Sequence, residues 1–350
     1  MPDVESQNKP VARWLIGCAL LVFCIVVVGG ITRLTRSGLS IVEWKPIAGT
    51  LPPMGDSEWN AEFAKYRETP EYRLVNRGMQ LAEFKNIFWW EYIHRVLARL
   101  IGVVFLLPFL WFLIRKQIRG FMAGRLALIF LLGGAQGFLG WYMVKSGLVK
   151  DPHVSHLRLM SHLLLAVLLY GTMLYTAWQF LHPQAETRKS KVGWLNVLTT
   201  FVLLGSGALV AGLKAGKMYN TFPLMNGSYF PPGIELQSPF LSNFIDHPAI
   251  VQFIHRNIAY FLGLLIVVQL YIRRSEIRSA KFRHPLVAFF AVYLLQVLLG
   301  VLTLVHLVPV SLGALHQANA MLLFSAALYV MQTTPRINSG ANLKEQKGER

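Results

Sequence analysis

Eight apolar runs of about 20 residues recur along this chain, and no other feature constrains its fold as tightly. At 1.5 Å per residue, a helix of that length crosses a hydrocarbon core of roughly 30 Å. Inside such a core a helix satisfies its own backbone hydrogen bonds. The expected spans are 12–31, 88–114, 123–145, 157–181, 192–212, 249–272, 286–305 and 311–332. The chain therefore reads as all-α, a polytopic membrane protein of eight transmembrane helices. Of its 350 residues 54% are hydrophobic and 15% charged, with a mean hydropathy of +0.45, which argues against a purely soluble fold.

The net charge of +17 does not point to nucleic acid, because the cations sit in short clusters between spans and form no single stripe. Arg115, Lys116, Arg119 and Arg125 form one cluster, Arg188, Lys189 and Lys191 a second, and Arg273, Arg274, Arg278, Lys281 and Arg283 a third. By the positive-inside rule these connections and both termini are cytoplasmic. Segment 32–87 offsets its cations with Glu43, Asp56, Glu58, Glu62, Glu68, Glu71 and Glu83 and belongs outside. Its helix-forming text from Trp59 to Tyr66 suggests a small cap over the outer face. Lys9 and Arg13 stand before an apolar run that has no small-residue cleavage site, so this first helix is expected to be retained. No acid-poor transit peptide is evident, which favours a bacterial inner membrane over an organelle. Residues 335–350 read as a polar cytoplasmic tail.

The chain also repeats itself. Glu91-Tyr-Ile-His-Arg returns as Gln252-Phe-Ile-His-Arg 161 positions later, and Gln136-Gly-Phe-Leu-Gly returns as Gln296-Val-Leu-Leu-Gly 160 positions later. His162 and His316 open the fourth and eighth spans. The expected organisation is a four-helix half over 1–185 and a second over 186–334. Four crossings per half would make them parallel repeats related by an axis along the membrane normal.

His94, His162, His255 and His316 all fall within about two turns of the outer ends of their spans. Polar residues inside spans are costly and tend to be functional, and neutral imidazole is an axial ligand of haem iron. One such histidine is most simply a helix-end contact, but four in a duplicated pattern suggest two bis-histidine haem sites. His153 and His156 lie in a wet, charged loop where a metal site is the less favoured reading, and His182, His247, His284 and His306 read as structural. Glu91 and Gln252 stand three residues before their histidines. A carboxylate can move a proton and an amide cannot, so the N-terminal site is the candidate reaction centre and the C-terminal site the electron carrier. Glu91 could alternatively just pair with Arg95. Arg95 and Arg256 either meet haem propionates or reach lipid and water, and Arg99 needs a partner that the sequence does not identify. Phe88, Trp89, Trp90, Tyr92 and Trp141 read mostly as interfacial belt residues. Gly29, Gly30, Gly133, Gly134, Gly205 and Gly207 read as close-packing positions, and Cys18 and Cys24 as buried packing residues.

At these residues the sequence resembles the haem A synthase family, whose members convert haem O to haem A for cytochrome oxidase. The resemblance rests on Gly30-Ile-Thr-Arg-Leu-Thr-Arg-Ser-Gly-Leu-Ser with Glu43-Trp-Lys-Pro, and on Glu83-Phe-Lys through Glu91-Tyr-Ile-His-Arg. It continues with His162-Leu, Gly212-Leu-Lys-Ala-Gly, Tyr219-Asn-Thr-Phe-Pro-Leu-Met, Gln252-Phe-Ile-His-Arg and His316-Gln-Ala-Asn-Ala, and it covers about residues 12–332. It implies that His94 and His162 face the iron of the substrate haem O, that His255 and His316 ligate a haem B cofactor, and that Glu91 is the catalytic carboxylate. The C8 methyl of haem O would be oxidised stepwise to a formyl group. Some bacterial members carry a cysteine pair in the first outer loop and this chain has none, so it resembles the alphaproteobacterial and mitochondrial branch. Haem O synthase, cytochrome oxidase assembly factors and a second copy of the chain are the partners the family implies, with the electron partner unidentified. The competing readings are a dihaem membrane cytochrome b exchanging electrons with quinol, and a haem-handling transporter.

Overall fold

The computed structural model describes residues 4–44, 48–149, 152–182, 191–279 and 284–333. The expected boundary at 185/186, the loop cations Arg188, Lys189, Lys281 and Arg283, and the tail 335–350 lie outside the described residues. The described residues form helices and no strand. Eight helices are long and apolar enough to span a bilayer: α1 (Val4–Leu34), α4 (Leu81–Ile114), α5 (Gly120–Gly147), α6 (His156–Leu181), α7 (Lys191–Gly212), α9 (Pro248–Ile272), α11 (Pro285–Val305) and α12 (Val310–Thr333). Four short helices complete the set: α2 (Asp56–Arg67), α3 (Pro70–Leu74), α8 (Asn243–Asp246) and α10 (Arg274–Ser279).

Within the first four long helices, α1 packs on α4 and α6, and α5 packs on α6. Within the second four, α7 packs on α9 and α12, and α11 packs on α12. The two groups meet where α6 touches α7 and α12 and where α1 touches α12. Small residues allow these close approaches, as membrane interfaces require. A Cβ at Gly171 would strike Phe324, and one at Gly193 would stand 2.8 Å from the Met331 Cα. Polar side chains add cross-links. Tyr170 bonds Ser325 at 2.7 Å between α6 and α12, and the buried amides of Asn196 and Gln269 pair reciprocally at 2.9 Å between α7 and α9. Gln317 Nε2 reaches from α12 to the Val26 carbonyl on α1 at 2.7 Å.

The segment after α1 folds over one end of the bundle, called here the capped end. Trp59 and Tyr66 of α2 bury against Phe84 and Phe88 of α4, forming a second core separate from that of the bundle. Thr69 caps α3, whose first residue is Pro70, and Gln80 with Glu83 forms a capping box that starts α4. That box and the cap core carry α4 seven residues beyond its expected start at 88, because the extra turns pack on protein and not on lipid. Phe88 and Tyr92 are therefore cap residues and not belt residues: Phe88 is buried and Tyr92 Oη donates to the Thr50 carbonyl at 2.6 Å. Trp89 and Trp90 are exposed, as a belt position requires.

Two other expectations fail for geometric reasons. Cys18 is buried, whereas Cys24 is exposed, since six residues along a helix turn a side chain to a different face. Gly133 and Gly134 approach nothing within 4 Å of where a Cβ would stand, so they do not serve helix packing within this chain.

Candidate functional site

The four histidines lie near the capped end, each on the first turns of its span or beside the cap. Each ring is laid against a glycine near the end of a neighbouring helix. A Cβ on Gly29 would stand 2.9 Å from Cε1 of His94, and one on Gly140 3.1 Å from that of His162. The corresponding distances are 3.2 Å for Gly207 and His255 and 2.9 Å for Gly300 and His316. His94 and His162 stand on α4 and α6, which both pack on α1, and His255 and His316 stand on α9 and α12, which both pack on α7. The structure thus assembles two histidine pairs, one within each group of four long helices. Gln136 Nε2 donates to the His162 carbonyl at 3.0 Å, and Gln296 Nε2 donates to the His316 carbonyl at 3.1 Å.

Glu91 and Gln252 occupy matching positions and make opposite hydrogen bonds. Both are 3% exposed. Glu91 Oε2 accepts from Ser40 Oγ at 2.7 Å and from the Ile41 amide at 2.9 Å. Its Oε1 accepts from Arg95 Nε at 3.1 Å and Nη2 at 2.7 Å. Four donors on two oxygens fit an ionised carboxylate. Gln252 instead donates through Nε2 to the carbonyls of Ala215 at 3.0 Å and Tyr219 at 3.4 Å. An anion at that position would face two carbonyl dipoles, which is a physical reason for the amide there. The pairing of Glu91 with Arg95 is therefore present, but within a wider shell that the cap completes.

Arg95 and Arg256 hold loop backbone. Arg95 donates to the Glu43 carbonyl at 3.0 Å and the Ile41 carbonyl at 2.8 Å, and its guanidinium lies 5.5 Å from the Trp44 ring centroid. Arg256 donates to the carbonyls of Thr221 at 3.0 Å and Tyr219 at 2.8 Å. Each arginine thus ties its helix to the loop that covers its site. A cleft of about 220 Å³ opens beside Arg95, between Val42 and Trp44 of the loop and Trp141 and Lys145 of α5.

His156 Nε2 meets Asp246 Oδ1 at 2.8 Å, joining α6 to α8. No group of three or more metal-ligating side chains occurs among the described residues. His247 and His284 accept backbone N–H bonds at the starts of α9 and α11, His306 ends α11, and His182 stacks on Trp178 at 3.8 Å.

Three residues near the sites carry roles that sequence reading did not assign. Ser40 closes the stretch Gly30–Ser40 but shows its role only once the cap returns it to Glu91. Ser206 and Asn319 contact His255 and Gln296, at 2.8 Å in each case. Their only sequence signal is position, one residue before a histidine-facing glycine and three residues after a histidine.

Glu71 in the cap is 4% exposed. Burial pushes its carboxyl up to about 7; the Tyr66 hydroxyl, donating at 3.3 Å, opposes this, Glu91 adds to it and Arg36 opposes it. A carboxyl with a raised folded pKa stabilises the fold at pH values below its ordinary pKa, and that stabilisation is lost as pH rises through the folded value. The cap is therefore expected to hold more firmly near pH 5 than near pH 8. Hydrogen-exchange protection factors across 56–74, the observed rates corrected for the base-catalysed intrinsic rate, should fall over that interval in the native chain and much less in Glu71→Gln. An equal pH response in both proteins would assign the effect to another group.

The model of the cytochrome oxidase assembly protein family COX15-CtaA matches residues 12–328. The chain belongs to that family. A protein of Nitrosospira multiformis described as heme A synthase is 47% identical over 332 residues, covering 93% of each chain. The heme A synthase of Paramagnetospirillum magneticum is 47% identical over 95% of this chain and 96% of its own, and that of Parvibaculum lavamentivorans is 44% identical over 93% and 94%.

Proposed function

We propose that this chain is a haem A synthase, oxidising the C8 methyl of haem O to a formyl group and so providing haem A for cytochrome oxidase. The observation that carries this reading is the opposite hydrogen bonding of Glu91 and Gln252 beside two otherwise matching histidine pairs. Two electron-carrying haems would need no such difference. A reaction that removes hydrogen from a methyl group needs a proton acceptor at one site only. The family membership and the relatives' names support the same conclusion.

The residues present fit a haem B in the C-terminal half. His255 and His316 are imidazoles in a span interior, and glycines leave room for both rings. Ser206 Oγ donates to the Leu203 carbonyl at 2.8 Å, so it meets His255 Nδ1 as an acceptor and leaves Nε2 unprotonated for iron. When bound, haem B supplies one-electron transfer between the substrate site and an outside partner. His94 and His162 hold the iron of the substrate haem and so fix where its ring edge lies. Glu91 is the proton acceptor, and its carboxylate stabilises positive charge developing at the methyl carbon. The cap supplies Ser40 and Ile41 to hold that carboxylate and excludes water from it.

The loop cations orient the capped end away from the cytoplasm of a bacterial inner membrane, with both termini cytoplasmic. The two groups of four helices act as repeated halves, 1–185 and 186–334. Haem O synthase is the natural donor of so apolar a substrate, and oxidase assembly factors and a second copy of the chain are the further partners.

Each glycine is expected to set its histidine's ring. Gly300→Ala should alter the low-spin absorption spectrum of bound haem, while Gly17→Ala, where a Cβ meets nothing within 4 Å, should not. Identical spectra would remove the cradle role. The function itself is tested in membranes that make haem O but no haem A. Expression of this chain should bring haem A into the acid–acetone extract, and unchanged haem O would overturn the proposal.

A further inference from the structure

The two histidine pairs differ in what holds the rings. In the C-terminal half Ser206 Oγ meets His255 Nδ1 at 2.8 Å. Asn319 Nδ2 donates to Gln296 Oε1 at 2.8 Å and to the Val292 carbonyl at 3.1 Å, so the amide against His316 is itself held. Gln296 Nε2 donates to the His316 carbonyl and stands 3.2 Å from His316 Nδ1, so this held amide fixes where the ring lies and accepts no ring N–H. In the N-terminal half the matching positions are apolar. Val28 precedes Gly29 as Ser206 precedes Gly207, and Leu165 follows His162 as Asn319 follows His316. Gln136 Nε2 stands 3.4 Å from His162 Nε2 as Gln296 Nε2 does from His316 Nε2, but Gln136 Oε1 has no hydrogen-bond partner to hold it, and Nδ1 of His94 and of His162 has no side-chain partner.

An acceptor on the second ring nitrogen, as Ser206 is for His255, fixes a ligating imidazole's tautomer and raises its basicity, whereas a held amide such as Gln296 fixes the ring's orientation alone; loss of such partners typically weakens binding by about 10–100-fold. A resident cofactor is served by such partners, whereas a substrate that must leave after each turnover is served by their absence. We propose that Ser206 and Asn319 lock the C-terminal pair for a permanent haem, while Val28 and Leu165 leave the N-terminal pair unlocked so that its haem exchanges. All four are positioning residues, and the inference rests on the assignment of substrate and cofactor halves above.

The test uses the purified full chain loaded with haem B at both sites and an excess of haem-scavenging apoglobin. The native chain should lose haem in two phases, and His255→Ala should remove the slow one. Ser206→Val should quicken the slow phase about tenfold and raise the midpoint potential of that haem, with both restored in Ser206→Thr, which keeps the hydroxyl. Val28→Ser, an independent gain of function that needs no loss of a bond, should slow the fast phase. Two phases that stay within twofold of native in both Ser206→Val and Val28→Ser would overturn the inference while leaving the haem sites intact. A chain that takes up no haem, or whose slow phase survives His255→Ala, would instead overturn the assignment of the halves.

Discussion

Glu91→Gln is expected to keep bound haem and to lose at least about 100-fold in the rate of haem O oxidation, the lower end for removing a positioned acid–base group. The amide cannot accept a proton from the substrate at neutral pH. It also cannot satisfy its surroundings. Ser40 Oγ and the Ile41 amide donate to one oxygen and Arg95 donates twice to the other, so an amide NH2 must face donors on one side. That mismatch costs about 1–3 kcal/mol, and it would loosen the cap locally without touching His94 or His162. Haem content and haem O conversion, measured on the same preparation, separate the two effects. Retained haem with retained conversion would make Glu91 a structural ligand of the cap. Loss of folded protein would point the same way.

The second large effect concerns the C-terminal pair. His255→Ala and His316→Ala are each expected to abolish the low-spin haem B signal and, with it, turnover. Haem O capture by the N-terminal pair should persist. His94→Ala should do the reverse, keeping haem B and losing haem O. The two pairs belong to different helix groups, and Gln317 is among the few polar ties across α1 and α12, so loss of one pair need not disturb the other. Loss of both haems in every variant would mean that the two halves fold only around a full complement of ligands. Unchanged spectra in His255→Ala and His316→Ala would remove the ligand assignment altogether.

The spans were legible because a lipid-facing helix needs apolar residues for its full length, and that demand is local. Where protein replaces lipid, the sequence reading came up short. The start of α4 depends on Gln80, Glu83 and the contacts of Phe84 with Tyr66, which belong to the cap and not to the span. Phe88 and Tyr92 look like belt residues for the same reason, since an aromatic at a membrane boundary reads alike whether its neighbour is a headgroup or another ring. Gly29 and Gly207 were correctly read as close-approach positions, but periodicity does not say that the approaching group is an imidazole. The asymmetry at 91 and 252 was visible as a change of residue type. Its meaning lies in Ser40, Ala215 and Tyr219, which only the folded loops bring to those positions. Ser206 and Asn319 escaped notice because a single small polar residue in a span is indistinguishable, in sequence, from one that bonds its own helix backbone.

Whether the chain modifies haem is read from the stoichiometry and identity of acid-extracted haem, resolved chromatographically from protein made with and without a source of haem O. Without that source the extract should hold haem B alone. With it, the same haem B should be joined by haem O, its hydroxylated form or haem A in a second, more readily lost site. Two equivalents of unmodified haem B under both conditions would contradict haem modification. The chain would then be an electron-transfer cytochrome with both of its histidine pairs at one end of the bundle.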